Sequence, residues 1–564
     1  MRLLFSAELH AKRANAIRMD AVLMKVRRTN GVMELTLCSQ HFLAIKTGQA
    51  CNGRAPSLGE RTRWSKFETP EIVGLIDNGR DSEIISESNP ILVFMKKSPN
   101  TPVASNRREF LKTSSLLAGS AFVLPRFSIG QSGQSANSKL NIAFIGVGPG
   151  QGRGNLTQMA KENIVAFCDV DPVQIAKTKE KFPKARTFID YREMFDKMGN
   201  EIDAVGIATP DNTHFVCAMA AADLGKHLFV QKPLVHNIYE LRTLCEKARQ
   251  NKLVTQMGNQ GRAFDGMRHI KEWYDAGALG EVREVIAWTN RPHKGYGFRP
   301  GERFKLPEAQ PIPEGLDWDK WIGPAPMTGY SEDLHPGFWR GWWDYGCGGL
   351  GDIGCHTIDI PYFALQLGHP TKIEVKLTGK PNPVYTPSGS VVTYHFPARN
   401  GMPPVKVSWT EGPTVPQIAK DFEAAHLAKT GDEDKAKTYA DGIFMVGSEQ
   451  TLFSPGMRPN SPRLFDEDAW QDFRRNRPPE TIPRIKGGNI QEWIRAVKGE
   501  GPTPGSHFDY AEGLTELILL GALAIRTGKD IVWDSEKMKI TNDRSLNKYI
   551  KPKVRKGWRE YYRS

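Results

Sequence analysis

"LNIAFIGVGPGQGRGNL", residues 140–156, decides the fold. Its first apolar run, Leu140 to Ile145, has the length and composition of a buried strand. It enters a loop with glycine at 146, 148, 150, 152 and 154, after which a helix is expected. Backbone without Cβ can turn sharply and bring its amides close to a pyrophosphate at a helix N-terminus, which is the reason for glycine here. The regular G-x-G-x-x-G spacing is not kept. Gly146 and Gly148 fit, the third place holds Gln151, and Gly152 comes one residue late. The loop is read as one residue longer than usual, with an ordinary glycine turn as the alternative.

The next segments strengthen the nucleotide reading. A second strand, "NIVAFCDVD", ends at Asp169, about 20 residues beyond Gly146, where an acid holds the ribose hydroxyls of NAD and repels the 2′-phosphate of NADP. NAD is therefore expected rather than NADP. A strand-end turn acid is the competing reading. Two more strand–turn–helix units follow, "AVGIATPDNTHFVCAMAAADLG" and "KHLFVQKPLVHNIYELRTLCEKARQN". Alternation of this kind predicts a doubly wound parallel sheet with its ligand at the carboxyl ends of the strands. Thr209, Asn212, Gln231 and Lys232 fall at such ends.

The densest chemistry lies in "WRGWWDYGCGGLGDIGCHTIDIPYFALQLG", residues 339–368. Asp352, His356 and Asp359 have the spacing that places three side chains on one face of a helix. Histidine is the common general acid–base near neutral pH, and an adjacent carboxylate fixes its tautomer and raises its basicity. A helix-capping aspartate beside a core histidine is the alternative. No further metal ligand stands nearby, so no metal is expected. Tryptophans and tyrosines crowd the approach, most of them expected in the core and one or two along a pocket, where rings stack on sugar faces. The remaining strands and late helices read as an α+β domain with a mostly antiparallel sheet.

Composition bounds the partners. The chain has 564 residues and a formal net charge of +13, of which +6 sits in residues 95–139 and only +4 in all that follows. A basic face for nucleic acid is not indicated. No run approaches the length of a membrane span. Cys38, Cys51, Cys168, Cys217, Cys245, Cys347 and Cys355 form neither a CxxC nor a disulfide framework. "NRREFLK", residues 106–112, with the apolar run to about Leu124, has the form of a twin-arginine export signal. On that reading the signal begins near Met95 and fills residues 95–137. Residues 1–94 are then upstream sequence, expected to be disordered, with a small extra domain as the alternative.

The Gly146–Gly154 loop, Asp169, "TPDNTH" at 209–214, "QKP" at 231–233, "GNQGR" at 258–262, "LGEVREVIAWTNRP" at 279–292 and "GDIGCHTID" at 351–359 together resemble the Gfo/Idh/MocA oxidoreductases, in their exported twin-arginine branch. The resemblance runs from about residue 139 to about 560. It implies a Rossmann domain, here residues 138–258, and a C-terminal α+β domain, residues 259–564, with a large open sheet for substrate binding and oligomer formation. It implies hydride transfer between a tightly bound nicotinamide and a hydroxyl-bearing carbon of a sugar, glycoside or cyclitol. It assigns catalysis to Lys232, His356 and Asp352, with His356 taking the hydroxyl proton. Cofactor contacts fall to Gly146, Gly148, Gly152, Asp169, Thr209, Pro210, Asn212, His214, Gln231 and Lys232. Asp359, Trp339, Trp343 and Arg262 fall on the substrate side. Two departures stand out: Gln231 replaces the glutamate of the motif, and the glycine loop is longer. A homo-oligomer in the periplasm is expected. The alternative activities are an NAD-dependent glycosidase working through transient C3 oxidation and a non-catalytic sugar-binding relative.

Overall fold

The computed structural model describes residues 25–29, 32–36, 139–293, 297–432 and 440–563. The chain divides into two units, residues 1–119 and 120–564. In the first, Lys25–Thr29 and Val32–Thr36 pair as an antiparallel hairpin. The rest of residues 1–94, expected to be a disordered upstream extension, lies outside the described residues. The export signal with Arg107 and Arg108 lies outside the described residues.

In the second unit, β1 (Asn141–Ile145), β2 (Asn163–Cys168), β3 (Arg186–Phe188), β4 (Ala204–Ile207), β5 (His227–Val230) and β6 (Thr255–Met257) form one parallel sheet, ordered β3-β2-β1-β4-β5-β6. The order reverses between β1 and β4, and such a switch point opens a crevice at the carboxyl ends of the strands. The connecting helices are α1 (Gln151–Gln158), α2 (Pro172–Lys179), α3 (Tyr191–Met198), α4 (Asp211–Asp223) and α5 (Ile238–Gln250). Ala204, Val205 and Ile207 of β4 are fully buried, because helices cover both sides of the sheet.

One of those covers comes from far along the chain. α7 (Gly488–Val497), which follows α6 (Asp265–Asp275), sets Ile490, Trp493 and Val497 against Ile142, Phe144 and Phe229. The Rossmann sheet thus completes its core with a helix from the C-terminal half. Sequence order did not suggest this.

The second sheet has nine strands: β7 (Val282–Thr289), β8 (Lys372–Thr378), β9 (Gly389–Phe396), β10 (Val405–Glu411), β11 (Asp441–Gly447), β12 (Thr451–Pro455), β13 (Arg463–Leu464), β14 (Ile531–Asp534) and β15 (Lys539–Ile540). Their order is β13-β12-β11-β7-β10-β9-β8-β14-β15, and every pairing is antiparallel except β7 with β10. Along β9, buried Val392, Tyr394 and Phe396 alternate with half-buried Thr393 and His395, as in a sheet with one covered face. α8 (Phe508–Thr527) packs against β8 and β9 and also against α5, so it is buried nearly all round. Among the described residues, no helix is long and apolar enough to cross a membrane.

The aromatics before residue 345 form a separate buried layer. Trp318 stacks on Trp321 at 4.5 Å, Tyr330 meets Trp318 edge-on, and Trp342 and Tyr345 complete the layer. Offset and edge-on ring pairs are favourable beyond the area they bury. The layer is fastened to the β2–α2 turn: Asp317 N donates to Val170 O at 3.0 Å, and His335 Nε2 lies 3.7 Å from Asp171.

Candidate active site

At the switch point the glycine loop shows three distinct environments. Gly146 has φ +85°, and a Cβ there would stand 2.6 Å from Ala208 O. A Cβ on Gly152 would stand 2.5 Å from Gly146 O, so the helix can pack on the loop only through glycine. Gly148 has nothing within 4 Å of its Cβ direction. That empty, side-chain-free position beside the N-terminus of α1 is shaped for the close approach of a pyrophosphate. The loop therefore performs the usual three glycine roles with one extra residue, Gly150, at φ +81°.

Asp169 closes the turn. Its Oδ2 accepts from Val147 N at 2.8 Å and its Oδ1 from Asp171 N at 3.0 Å. Burial pushes its pKa up to about 6 despite these donors. Each oxygen keeps a lone pair for a ribose hydroxyl. Gly146, Gly148, Gly152, Asp169, Thr209, Pro210, Gln231 and Lys232 all line one cleft of about 200 Å³. Trp321, His335, Trp339 and Arg340 form its opposite wall, and Trp558 from the chain end also lines it.

Two expected cofactor residues are elsewhere. His214 directs Nδ1 to Pro233 O at 2.9 Å and Nε2 to Thr209 O at 3.0 Å, tying the β4 end to the Lys232 loop, and burial lowers its pKa to about 4. It braces the cleft without lining it. Asn212 donates to Ile322 O at 2.9 Å and lines a second cavity, behind α4. The residue between Pro210 and Asn212 is the one that faces the cleft. Asp211 accepts from Cys347 N at 3.1 Å, and burial raises its pKa to about 7 against the pull of Lys232 and Arg340.

Lys232 and Asp352 meet at the inner end. Lys232 Nζ donates to Asp352 Oδ1 at 2.8 Å and to Asp352 O at 2.6 Å. Arg291 Nη1 donates to Oδ2 at 2.9 Å and Arg340 Nε to Oδ1 at 3.3 Å. Burial by itself would raise the carboxyl, but Lys232, Arg340 and Arg291 together hold it well below the usual carboxylate range. Asp352 is a fixed anion, not a proton carrier.

His356 does not pair with Asp352, contrary to the helical-face expectation. Leu350–Gly354 is a π turn, and the ordinary helical turn Cys355–Thr357 follows it. The wider turn breaks the three-and-four spacing on which a shared face depends. His356 Nδ1 instead donates to Asn259 Oδ1. Asn259 is fixed in that sense because its Nδ2 donates to Cys355 O at 2.7 Å and to Asp359 Oδ2 at 2.9 Å. Tyr510 donates to the other oxygen of Asp359. Nε2 of His356 is thereby the bare nitrogen, and Arg458 Nη2 approaches it at 3.4 Å. Burial, then Arg458 and Lys232, keep His356 well below its ordinary pKa. The ring is a neutral base.

Three expected substrate contacts are corrected. Asp359 is completely buried and orients Asn259. Arg262 donates to Gly505 O at 3.0 Å and stacks between Phe363 and Tyr510, with 7% exposure. Trp343 donates to Asn382 O at 2.9 Å and lines the second cavity. Only Trp339 lines the cleft. Arg291, Arg340, Arg458, Asn259 and Asp211 were missed. Arg291 and Asn259 lie in stretches that carry the family resemblance, but no spacing rule ties them to Asp352 or His356. Among the described residues, no group of three or more His, Cys, Asp or Glu is placed to hold a metal ion.

Residues 140–259 match the family model "Oxidoreductase family, NAD-binding Rossmann fold", and residues 267–386 match "Oxidoreductase family, C-terminal alpha/beta domain". The chain is 36% identical over 104 residues to scyllo-inositol 2-dehydrogenase (NAD(+)) of Bacillus subtilis, which is 18% of this chain and 29% of that protein. It is 26% identical over 138 residues to levoglucosan dehydrogenase of Pseudarthrobacter phenanthrenivorans, 24% of this chain and 35% of that protein. The chain thus spans about a third of the length of these curated relatives. Among solved structures it is similar to the WlbA dehydrogenase from Bordetella pertussis in complex with NADH and UDP-GlcNAcA, with TM-score 0.47 and 16% identity over 70% of this chain and 99% of that one. With both domain models matched in order, and with the glycine cradle and the Lys232–Asp352 pair in place, residues 140–386 carry the two domains of the Gfo/Idh/MocA oxidoreductase family.

Proposed function

We propose that this protein is an NAD-dependent oxidoreductase acting on a hydroxyl-bearing carbon of a sugar, glycoside or cyclitol. One observation carries the reading: a single cleft runs from the Gly146–Gly152 cradle and Asp169 to Lys232 and Asp352. The loop and Asp169 would hold pyrophosphate and ribose, and the bound nicotinamide would supply the hydride acceptor or donor. Lys232, held by Asp352, presents a cation to the reacting oxygen and stabilises alkoxide character as the C–H bond is lost. His356 Nε2 takes the hydroxyl proton, its tautomer set through Asn259 and Asp359. Gln231 adds no charge beside Lys232, which leaves Asp352 as that lysine's anion.

The aromatic wall opposite the glycine loop supports a second part of the proposal, that the cofactor is retained between turnovers. Native mass spectrometry of the purified protein tests this, with bound nicotinamide expected. A sugar and cyclitol panel read at the nicotinamide absorbance tests the activity. Hydrolysis of an aryl glycoside without net NADH would replace it by the glycosidase reading.

We also propose export by the twin-arginine route, on the basis of Arg107, Arg108 and the apolar run after them. N-terminal peptide mapping tests this, and any mature peptide from before residue 95 refutes it. The homo-oligomer is likewise a proposal, and a monomer mass in light scattering would end it.

A further inference from the structure

Four cations gather round Asp352 and His356, with Asp211 and Asp441 as the nearby acids. Lys232, Arg291 and Arg340 all converge on one carboxylate, Asp352. Arg458 is a fourth cation, and among the described residues it has no ion-pair partner. Its Nε is buried without an acceptor. Its Nη2 makes only two long contacts, to Gln260 Oε1 at 3.3 Å and to His356 Nε2 at 3.4 Å. A half-buried cation whose nearest acids, Asp352 and Asp441, stand beyond ion-pair distance has lost hydration without gaining a direct counter-charge.

The position of Arg458 is built. It follows β12 through a turn at Gly456, φ +74°. Its side chain lies along Gly261, where a Cβ would meet Arg458 Cγ at 3.5 Å. Thr357, next to His356, donates to Met457 O at 3.4 Å and fixes the adjoining backbone. Gln260 in turn donates to Gln151, the first residue of α1 after the glycine loop. Arg458 is therefore suspended between the cofactor cradle and the base. Its guanidinium sits against the one nitrogen of His356 that can accept a proton.

We propose that the substrate is an anionic sugar, bearing a carboxylate of the uronic-acid type near the reacting carbon, and that Arg458 receives that carboxylate. This rests on the oxidoreductase reading and deepens it. A carboxylate engages guanidinium through two parallel N–H···O bonds, a stronger arrangement than the contact with a neutral imidazole. Drawing Arg458 onto the substrate removes a donor from His356 Nε2 and leaves that lone pair for the hydroxyl proton. The proton passes to Nε2 while the hydride leaves carbon for the nicotinamide, so the charge and atom balance of the oxidation is unchanged. A neutral sugar leaves the guanidinium on the base. Arg458 thus acts both as a substrate contact and as a gate on the base.

The experiment compares sugars that differ only in the carboxylate, methyl glucuronide against methyl glucoside and methyl galacturonide against methyl galactoside, on the full protein with NAD. Binding is measured by calorimetry and turnover by nicotinamide absorbance. In the unaltered protein kcat/KM should favour the uronides by about 10- to 100-fold. Arg458→Leu should abolish that preference, raising KM for the uronides and raising kcat several-fold for the neutral partners. Arg458→Lys should keep part of the uronide affinity. Neutral sugars turned over as well as uronides by the unaltered protein overturn the proposal and leave the oxidoreductase reading standing. Uronide binding that is lost in Arg458→Leu, with no turnover of any sugar, does the reverse. Neither binding nor turnover ends both.

Discussion

Along the groove from Gly146 to Asp169 the protein offers a ligand mostly backbone, with one carboxylate whose oxygens already hold two amides. Beyond the other end of that groove, Lys232, Arg291 and Arg340 share the ionised Asp352, and Arg458 rests against the neutral His356. The first region recognises by close approach, which is set by the absence of side chains. The second recognises by charge, which is set by side chains from segments up to about 200 residues apart. A single atom too many spoils the first, whereas the second fails when a partner is removed and a buried charge is stranded.

Mutation can probe that contrast. Asp352→Asn should have the largest effect, because it removes the negative charge that Lys232, Arg291 and Arg340 share. A loss of about 3–5 kcal/mol in urea unfolding is expected together with lost turnover. Unchanged stability would mean that the cations are solvated and that the charge network is overstated. Lys232→Ala should cost about 10³-fold in kcat while bound nicotinamide, weighed by native mass spectrometry, stays. If the cofactor leaves as well, the two ends are not separable.

At the backbone end, paired glycine substitutions separate fold from ligand. Gly152→Ala places a methyl against Gly146 O and should lower both melting temperature and cofactor affinity, by about 1–3 kcal/mol. Gly148→Ala meets nothing in the protein. It should keep the melting temperature and weaken nicotinamide binding alone, by roughly tenfold or more, as read by NADH fluorescence. A shared loss of stability in both variants would break the assignment of Gly148 to the ligand.

The smallest expected effect is of pH on cofactor binding. Asp169 titrates near 6, raised by burial. Above that pH it is a carboxylate that can accept from ribose hydroxyls, and below it the proton removes acceptor capacity. NAD affinity should therefore fall by up to about tenfold as pH drops from 7.5 to 5. The stability sign is opposite. A carboxyl whose pKa is raised in the folded state favours folding more as pH falls through 6 toward its unfolded value, so weaker binding cannot be ascribed to this group unfolding the protein. Affinity that is flat over this range would remove Asp169 from the ribose site.

Much of the cradle was legible because its determinants are local. Strand, glycines, helix and the following acid occur within thirty residues, and backbone geometry imposes their spacing. Lys232 at a strand end was legible for the same reason. The Asp352–His356 relation was not, because residue spacing foretells a shared face only for a regular helix, and a π turn stands there. Arg262 and Trp343 read as site residues by their position in suggestive stretches, yet packing turned the first between two rings and the second into the core.

By itself the sequence determined the parallel nucleotide-binding sheet, the longer glycine loop, the acid at its rim and the lysine at its end, since each follows from local backbone requirements. Only the tertiary structure decided that Asp352 belongs to Lys232 and two arginines, that Asn259 sets the tautomer of His356, and that Arg458 rests on the base. The partners of Asp352 alone stand 12, 61 and 120 residues away in sequence. Coulomb attraction and hydrogen bonding select such partners by distance in space, which the order of residues along the chain does not encode.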